Sequence, residues 1–388
     1  MIIYFDNNAT TRTLPEVLAE MAPYFTEHFA NLSSPIASVT GVCRKVEECF
    51  KSIATNLGAI GGEQFILTSG ATESNNLALL GAYAANPKRN HLVLSPVEHP
   101  SVIETADALK KCGCRISTVS LTSDGAVDID SLINLLDRDT LLVSIMFANN
   151  ETGIIQPIKE IAEVVKNFDS AILFHTDATQ AIGKLSIELF EELDDIDLLS
   201  LSAHKFHGPK GVGALYLRDT DLIAPILHGG KQQQGMRAGT ENVAGLVGMA
   251  TALSFITSLE SAWEPIRFLR DELEAGVCEM WPGSFVIGKS LARLANTSYI
   301  CIPGIDAESL VDRMAMKGVA IATGSACAYG AKMPSYVALA HGLNYELARC
   351  CVRFSLSIET SAVEVKYALE ALENEISEVW QSPSIKTL

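Results

Sequence analysis

The sequence predicts an α/β protein in which a large domain carries a mostly parallel sheet of seven strands and a smaller α+β domain forms the C-terminal part. Three observations lead there. At 388 residues the chain exceeds one ordinary domain and can bury a core for each of two. From residue 64 to 217 short β-rich apolar runs alternate with longer segments of helical period, the pattern of βα units in a mostly parallel sheet. After Trp263 the texture changes to helix, strand, strand, helix, which places a boundary near 258–265.

Taken in order, the predicted strands are 64–68, 91–95, 115–119, 141–147, 171–175, 196–202 and 212–217. Between them, helical periodicity marks 71–84, 101–111, 129–136 and 158–167. A Gly- and Gln-rich stretch, 228–239, interrupts the alternation and contains three consecutive glutamines at 232–234. A long helix follows at 241–259, and a charged amphipathic helix at 362–379 closes the smaller domain.

Apolar residues at 48% and charged residues at 19% fit a compact globular chain and exclude a disordered or fibrous one. Asp plus Glu at 46 outweigh Lys plus Arg at 29, for a net charge of −17. Such a surface repels phosphate backbones and anionic lipid, which argues against direct binding to nucleic acid or membrane and favours basic protein partners. Nine cysteines is an odd number, and the opening MIIYFDNNATT has no basic-then-apolar leader, so a reducing compartment is expected rather than a disulfide framework. Apolar stretches such as 141–148 fall well short of the roughly 20 residues of a membrane helix. The expectation is a soluble, cytoplasmic protein.

One motif reads as a decoy. Gly283 to Ser290 satisfies the P-loop pattern, yet Trp281-Pro282 precedes it and Ser284 to Ile287 itself reads as a strand, where a phosphate loop needs small residues and a helix opening at the lysine. Gly208-Pro-Lys-Gly211-Val-Gly213 reads as a turn entering a strand rather than a dinucleotide fingerprint.

The segments that carry chemistry are Thr68-Ser-Gly70-Ala71-Thr72-Glu73, Val97-Glu98-His99-Pro100, Asn149-Asn150-Glu151, His175-Thr-Asp177-Ala-Thr-Gln180, Ser202-Ala-His204-Lys205 and Gly324-Ser-Ala-Cys327. Most follow a predicted strand, and in open α/β sheets that edge gathers ligand-binding groups from distant parts of the chain. Ser69 to Thr72 sits at a strand-to-helix turn, where free N–H groups and the helix dipole favour a phosphate; an ordinary βα turn with a Thr cap is the alternative. Asp177 closes an apolar run and would project a carboxylate toward a cofactor, unless it makes a salt bridge or a helix cap. Lys205 follows Ser202 and His204 directly, and a lysine in a crowded site can lose its proton and form a Schiff base, although a single lysine is more often solvent-exposed. Together, the phosphate turn, the Asp and the strand-end Lys are the parts of a pyridoxal 5'-phosphate site.

These motifs, from Asp6-Asn-Asn-Ala-Thr-Thr11 to Arg353-Phe-Ser-Leu356, resemble the cysteine desulfurases, group I and IscS/NifS-like, of the class-V aminotransferases. The order matches over nearly the whole chain, at close to the family's spacing. The resemblance implies the fold-type I architecture of pyridoxal-phosphate-dependent transferases. It makes 15–260 the large cofactor-binding domain, and 1–14 with 261–388 a small domain carrying a catalytic-cysteine loop at about 322–334. It implies that Lys205 forms the Schiff base, Asp177 pairs with the pyridine nitrogen, Gln180 hydrogen-bonds the ring hydroxyl and His99 stacks on the ring and moves protons. Gly70, Ala71, Thr72, Ser202 and His204 would hold the phosphate, joined by Thr240 from a second subunit of a homodimer. Asn150 would serve both cofactor and substrate, and Asn8, Asn150 and Arg353 would hold the substrate; Arg353 offers a planar fork that matches a carboxylate, with a structural salt bridge as the alternative. No metal is implied.

Cys327 decides the reaction. Thr323-Gly324-Ser325-Ala326 before it, with Gly330 and Pro334 after, make a small-residue stretch suited to a mobile loop that carries a nucleophilic thiolate. The implied activity converts L-cysteine to L-alanine and leaves a persulfide for sulfur-acceptor proteins. The sequence departs from the family at Asn31-Leu-Ser-Ser-Pro-Ile36, which lacks the usual His, and Cys350-Cys351 is read as core. A selenocysteine lyase, or another fold-type I lyase or aminotransferase, would not require Cys327; a noncatalytic sulfur-assembly scaffold would not require both Lys205 and Cys327. Whether the sulfur goes to iron–sulfur assembly, tRNA thiolation or DNA phosphorothioation is left open by the motifs.

Overall fold

The computed structural model describes residues 2–324 and 333–381. The chain starts with a short strand, β1 (Ile3–Tyr4), and four helices, α1 (Pro15–Met21), α2 (Pro23–Thr26), α3 (Pro35–Val39) and α4 (Val42–Asn56). There follow β2 (Phe65–Thr68), α5 (Ala71–Ala85), β3 (His91–Leu94), α6 (Pro100–Lys111), β4 (Arg115–Thr118), α7 (Ile129–Leu135), β5 (Thr140–Ser144), α8 (Ile158–Phe168), β6 (Leu173–Asp177), β7 (Leu198–Ser202) and β8 (Gly213–Leu217). Next come α9 (Val243–Thr257), α10 (Trp263–Met280), β9 (Phe285–Val286), β10 (Thr297–Cys301), α11 (Ala307–Met316), β11 (Val319–Ala320), α12 (Tyr336–Ala340), α13 (Tyr345–Ala348), β12 (Cys351–Ser355) and α14 (Ala362–Gln381). Among the described residues no helix is long and apolar enough to cross a membrane.

The seven predicted strands form one sheet in the order β2-β8-β7-β6-β5-β3-β4. It is parallel except at β8, which runs antiparallel to both β2 and β7. Every strand but the edge strand β4 is buried along its whole length, because both faces are covered. Ile66, Leu92, Leu142 and Leu215 pack with Leu77 and Val102 of α5 and α6. Leu67, Val93, Val143, Phe174 and Leu199 pack on the other side with Ile161 of α8 and Val247 of α9. Helix α9 is apolar all round and buried, lying against α1 and α4. The strand expected at 171–175 is displaced to Leu173–Asp177, because Thr176 and Asp177 continue the ladder beside Leu199 and Ser200 of β7.

Beyond α10, β12, β10 and β9 make a three-stranded antiparallel sheet. The start of the chain reaches this region, where β1 pairs in parallel with β11. The P-loop pattern is a decoy, since Phe285–Val286 is strand β9 paired to β10. Likewise Gly208 to Gly213 turns into β8.

Candidate active site

A cavity of about 420 Å³ opens at the C-terminal ends of β6 and β7, where the sheet topology leads one to look for a ligand. Asn8, Gly70, Ala71, Thr72, His99, Asn150, Asp177, Gln180, Ser202, His204, Lys205 and Arg353 all line it. Thr240 does not, and it is exposed. Cys327 lies outside the described residues.

One end is built for an anion. Helix α5 has no side-chain cap on its first turn, so its leading N–H groups and dipole face the cavity beside Ser202 and His204. Gly70, at its N-cap, has φ 148°, a conformation that side chains rarely adopt. Across from it, a Cβ on Gly213 would come 2.4 Å from Leu201 O and 2.7 Å from Gly70 Cα, so glycine alone lets β8 close against the turn. Glu73 is drawn out of the first turn by Arg237 at 2.7 Å and by the Ser69 N–H at 2.7 Å, with its carboxyl below the usual range. Although burial works the other way, these hydrogen bonds prevail. Burial, and then the charges of Lys205, Lys210 and Lys184, push His204 down to about 4, so at neutral pH it is an uncharged ring whose Nδ1 lies 3.0 Å from Thr10 Oγ1.

At the other end Asp177 is nearly buried, and its Oδ2 accepts from Asn75 Nδ2 at 2.8 Å while Oδ1 accepts from the Thr179 N–H at 3.0 Å. His99 caps α6: its Nδ1 accepts from the Ser101 N–H at 3.1 Å, which leaves the proton of the neutral ring on Nε2. Burial lowers the pKa of His99 against the opposing pull of Asp177. The turn that presents His99 is fixed by Glu98, whose fully buried carboxyl accepts from Ser95 Oγ at 2.5 Å and Met146 N–H at 2.7 Å. Burial pushes Glu98 up to about 8, so it is a neutral acid at pH 7.

Lys205 follows β7 on a tight turn and donates from Nζ to Asn8 O at 2.6 Å and Ala9 O at 2.7 Å. Gln180 donates from Nε2 to the same Asn8 O at 3.0 Å, and its Oε1 accepts from Lys184 Nζ at 2.9 Å. Lys184 is a buried ammonium that also donates to Gln180 O at 3.1 Å; burial, then Lys205 and Arg353, lower it to about 7. Asn8 lines the cavity, but its side-chain amide is engaged by the protein: Nδ2 donates to Asn150 O and Thr297 Oγ1, and Oδ1 accepts from Asn296. Arg353 is buried, with Nη2 on Asp6 Oδ1 at 2.5 Å and Nη1 on Asn150 O at 3.1 Å, so the salt bridge named as its alternative exists. Its buried Nε has no partner among the described residues.

Asn75 and Lys184 were not singled out from the sequence, and Glu98 was named within its motif without a role. Lys184 had a faint signal, since it stands four residues after Gln180 on one turn. Asn75 lies one helical turn beyond Ala71 on α5, on the side that meets Asp177. The departing segment around Asn31 to Ile36 is off the cavity; Asn31 Oδ1 accepts from the Ser33 N–H and Pro35 opens α3.

The donor set fits pyridoxal phosphate. An uncapped helix start suits its phosphate, a buried carboxylate suits a protonated ring nitrogen, and an amine stands beside both. The Thr179 hydroxyl is buried, lines the cavity and has no partner among the described residues, as a group that meets a ligand would.

Comparison with known proteins agrees with this arrangement. The family model for class-V aminotransferases matches residues 3–368. A cysteine desulfurase of Rhodobacter capsulatus is 41% identical, covering 98% of this chain and 98% of its own. The cysteine desulfurase NifS of Azotobacter vinelandii is 40% identical, covering 94% of this chain and 90% of its own. A solved structure described as a NifS-like protein superposes with a TM-score of 0.91 at 35% identity, over 97% of this chain and 100% of that one. With each match spanning nearly the full length, the chain belongs to the class-V aminotransferase family and, within it, to the pyridoxal-phosphate-dependent cysteine desulfurases.

Proposed function

We propose that this protein moves the sulfur of L-cysteine onto Cys327 and releases L-alanine, with pyridoxal phosphate seated between the start of α5 and Asp177. Bound there, the cofactor supplies an electron sink that acidifies the substrate Cα–H and weakens the Cβ–S bond. Asp177, held by Asn75 and the Thr179 N–H, keeps a proton on the ring nitrogen. Gly70, Ala71, Thr72, Ser202 and His204 receive the phosphate, and Gln180 receives the ring hydroxyl. Lys205 would hold the cofactor through its amine and, when that amine is free, would take the substrate Cα proton. Arg353 and Asn150 hold the substrate carboxylate, while Asn8 acts through its carbonyl on Lys205 and Gln180 rather than through its amide. His99 moves protons to and from the departing sulfur.

The Cys327 thiolate then attacks that sulfur. One S–S bond forms, the Cβ–S bond breaks, and the electron pair passes to the carbon skeleton that becomes L-alanine after protonation. The observation that carries the reading is the placement of Lys205 and Asp177 on neighbouring strand ends around one cavity with an uncapped helix start. Sulfur then passes to acceptor proteins, and the −17 charge favours acceptors with basic surfaces. The active form is a homodimer in which Thr240, exposed and off its own chain's cavity, completes the partner's phosphate site. The reading also places the protein in the cytoplasm.

Borohydride reduction followed by peptide mapping should label Lys205, and Cys327→Ser should abolish both persulfide and alanine while still binding cofactor. Label on another lysine, or full persulfide loading in Cys327→Ser, would sink the assignment.

A further inference from the structure

The face of the small sheet that carries Arg353 continues into a pair of thiols. In the β10–β12 ladder Tyr299 stands opposite Arg353 and Cys301 opposite Cys351. The Ile302 N–H bonds Cys350 O at 2.9 Å, which makes the adjacent Cys301–Cys351 rung a non-hydrogen-bonded one. In such rungs the Cα atoms approach to about 4.5 Å. A disulfide spans Cα separations of roughly 4.4–6.8 Å, so this rung lies at its short end. Both sulfurs lie against one acceptor, Leu347 O, at 3.5 and 3.3 Å. Both are buried and free.

Cys351 also lines a second cavity, of about 620 Å³, with Thr323, Gly324, Met333 and Ser335 in its wall. Same-face residues along a strand are about 6.6 Å apart, so Cys351 is one such step from Arg353. The neighbouring thiol lowers the pKa of Cys301 and, together with burial, raises that of Cys351 well above the usual thiol range. The first proton leaves this pair more readily than the second.

We propose that Cys301 and Cys351 form a second sulfur-handling site, a dithiol that takes the outer sulfur of a hydropersulfide and discharges it as hydrogen sulfide while closing to a disulfide. Cys301, once ionised, takes the proton of Cys351, and the Cys351 thiolate attacks the outer sulfur of R–S–SH, giving Cys351–S–SH and R–S⁻, which is protonated and leaves as R–SH. Cys301 then attacks Cys351 Sγ; the new S–S bond joins the cysteines, the old one breaks, and the outer sulfur leaves with both protons as H₂S. Two thiols are oxidised by two electrons and the sulfane sulfur is reduced to sulfide, so no further oxidant enters. The hydropersulfide is either the enzyme's own, in which case the inference rests on the proposed function, or a small molecule.

The experiment separates the two sources. Holoenzyme carrying Cys327→Ser is treated with inorganic polysulfide, denatured, alkylated and mapped without reduction. A Cys301–Cys351 cross-linked peptide and the loss of both alkyl adducts are expected. In Cys301→Ala, with Cys301→Ser as a milder companion, the cross-link should vanish and Cys351 should carry the extra sulfur. Recovery of both thiols fully alkylated in the parent protein overturns the proposal. In a second arm, intact enzyme turns over L-cysteine without acceptor while alanine is measured. A cross-link that requires Cys327 identifies the enzyme's own persulfide as donor, and one that does not identifies a small-molecule donor. Absence of alanine there counts against the proposed function alone, because the polysulfide arm does not depend on it.

Discussion

Replacing Lys184 by Met tests the electrostatics of the site on a residue that no motif marks. Lys184 is an ammonium buried beside Lys205 and Arg353, with its pKa lowered from 10.5 to about 7. The unfolded chain keeps that proton up to about pH 10.4, whereas the folded chain sheds it near 7. Across that window the unfolded state binds more protons, so stability rises with pH; below it both states are protonated and the penalty is constant. Each unit is worth about 1.4 kcal/mol, which bounds the whole effect at about 5 kcal/mol. Methionine fills similar space without charge but leaves Gln180 Oε1 unpaired, at a cost of about 1–3 kcal/mol. The variant should therefore be more stable than wild type at pH 7 by roughly 2–4 kcal/mol, and by about pH 10 the difference should reverse to a deficit of about 1–3 kcal/mol, because the unpaired Gln180 Oε1 remains after the charge penalty is gone. Urea unfolding of cofactor-free protein, at steps from about pH 6.5 to about pH 10, gives the difference between the two chains; other titrating groups are common to both and cancel. A difference that stays flat across the window would refute the buried-ammonium argument.

Three further outcomes are expected. Asn75→Ala removes the 2.8 Å hydrogen bond to Asp177, and a bond to a charged group is worth about 1.5–3 kcal/mol, so cofactor affinity should fall roughly tenfold or more in an absorbance titration. Gly213→Ala forces a Cβ to 2.4 Å from Leu201 O; a loss of about 1–3 kcal/mol in thermal or urea unfolding should accompany weakened cofactor binding, and an unchanged melt would contradict the close approach. Mixing a Lys205→Ala subunit with a bulky Thr240→Trp subunit should restore up to half the activity, because one site of the mixed dimer keeps both residues. No recovery despite proven exchange would refute the shared site.

The sheet was legible because its covered strands are mostly apolar runs, and β2, β3, β4, β7 and β8 fall within two residues of expectation. The four helices before residue 57 were not assigned. Helices α1, α2 and α3 have only 7, 4 and 5 residues and each starts at a proline, too short for a period to register. In α4 the stripe of Val42, Cys49 and Ile53 is diluted by charged neighbours. Within the site, residues whose chemistry is visible in their type and position were found: Lys205, Asp177, His99 and Arg353 all meet in the cavity. The roles of Asn75, Glu98 and Lys184 were not, because a buried amide, acid or amine acquires its role from a partner 102, 48 or 4 residues away that only the fold supplies. Arg353 shows both sides, since its buried position was not foreseeable from the same letters that suggested its role.

The path of the first eleven residues has a consequence for how the protein is made. Ile3 and Phe5 donate to Gly318 O and Ala320 O, Asn7 to Ser355 O, and Asn8 holds Thr297 with its side chain and Lys205 with its carbonyl. This segment leaves the ribosome well before its partners, and the last of them, Ser355, emerges about 350 residues later. At about 5–20 residues per second the interval is tens of seconds, during which α5 and the strands around it can already fold as a unit. Lys205 meanwhile lacks the two carbonyls that hold its amine. Cofactor capture in its final geometry is therefore a late event in the life of the nascent chain, and a substitution at Asn7 or Ser355 should lower the yield of loaded enzyme more than the stability of enzyme already assembled.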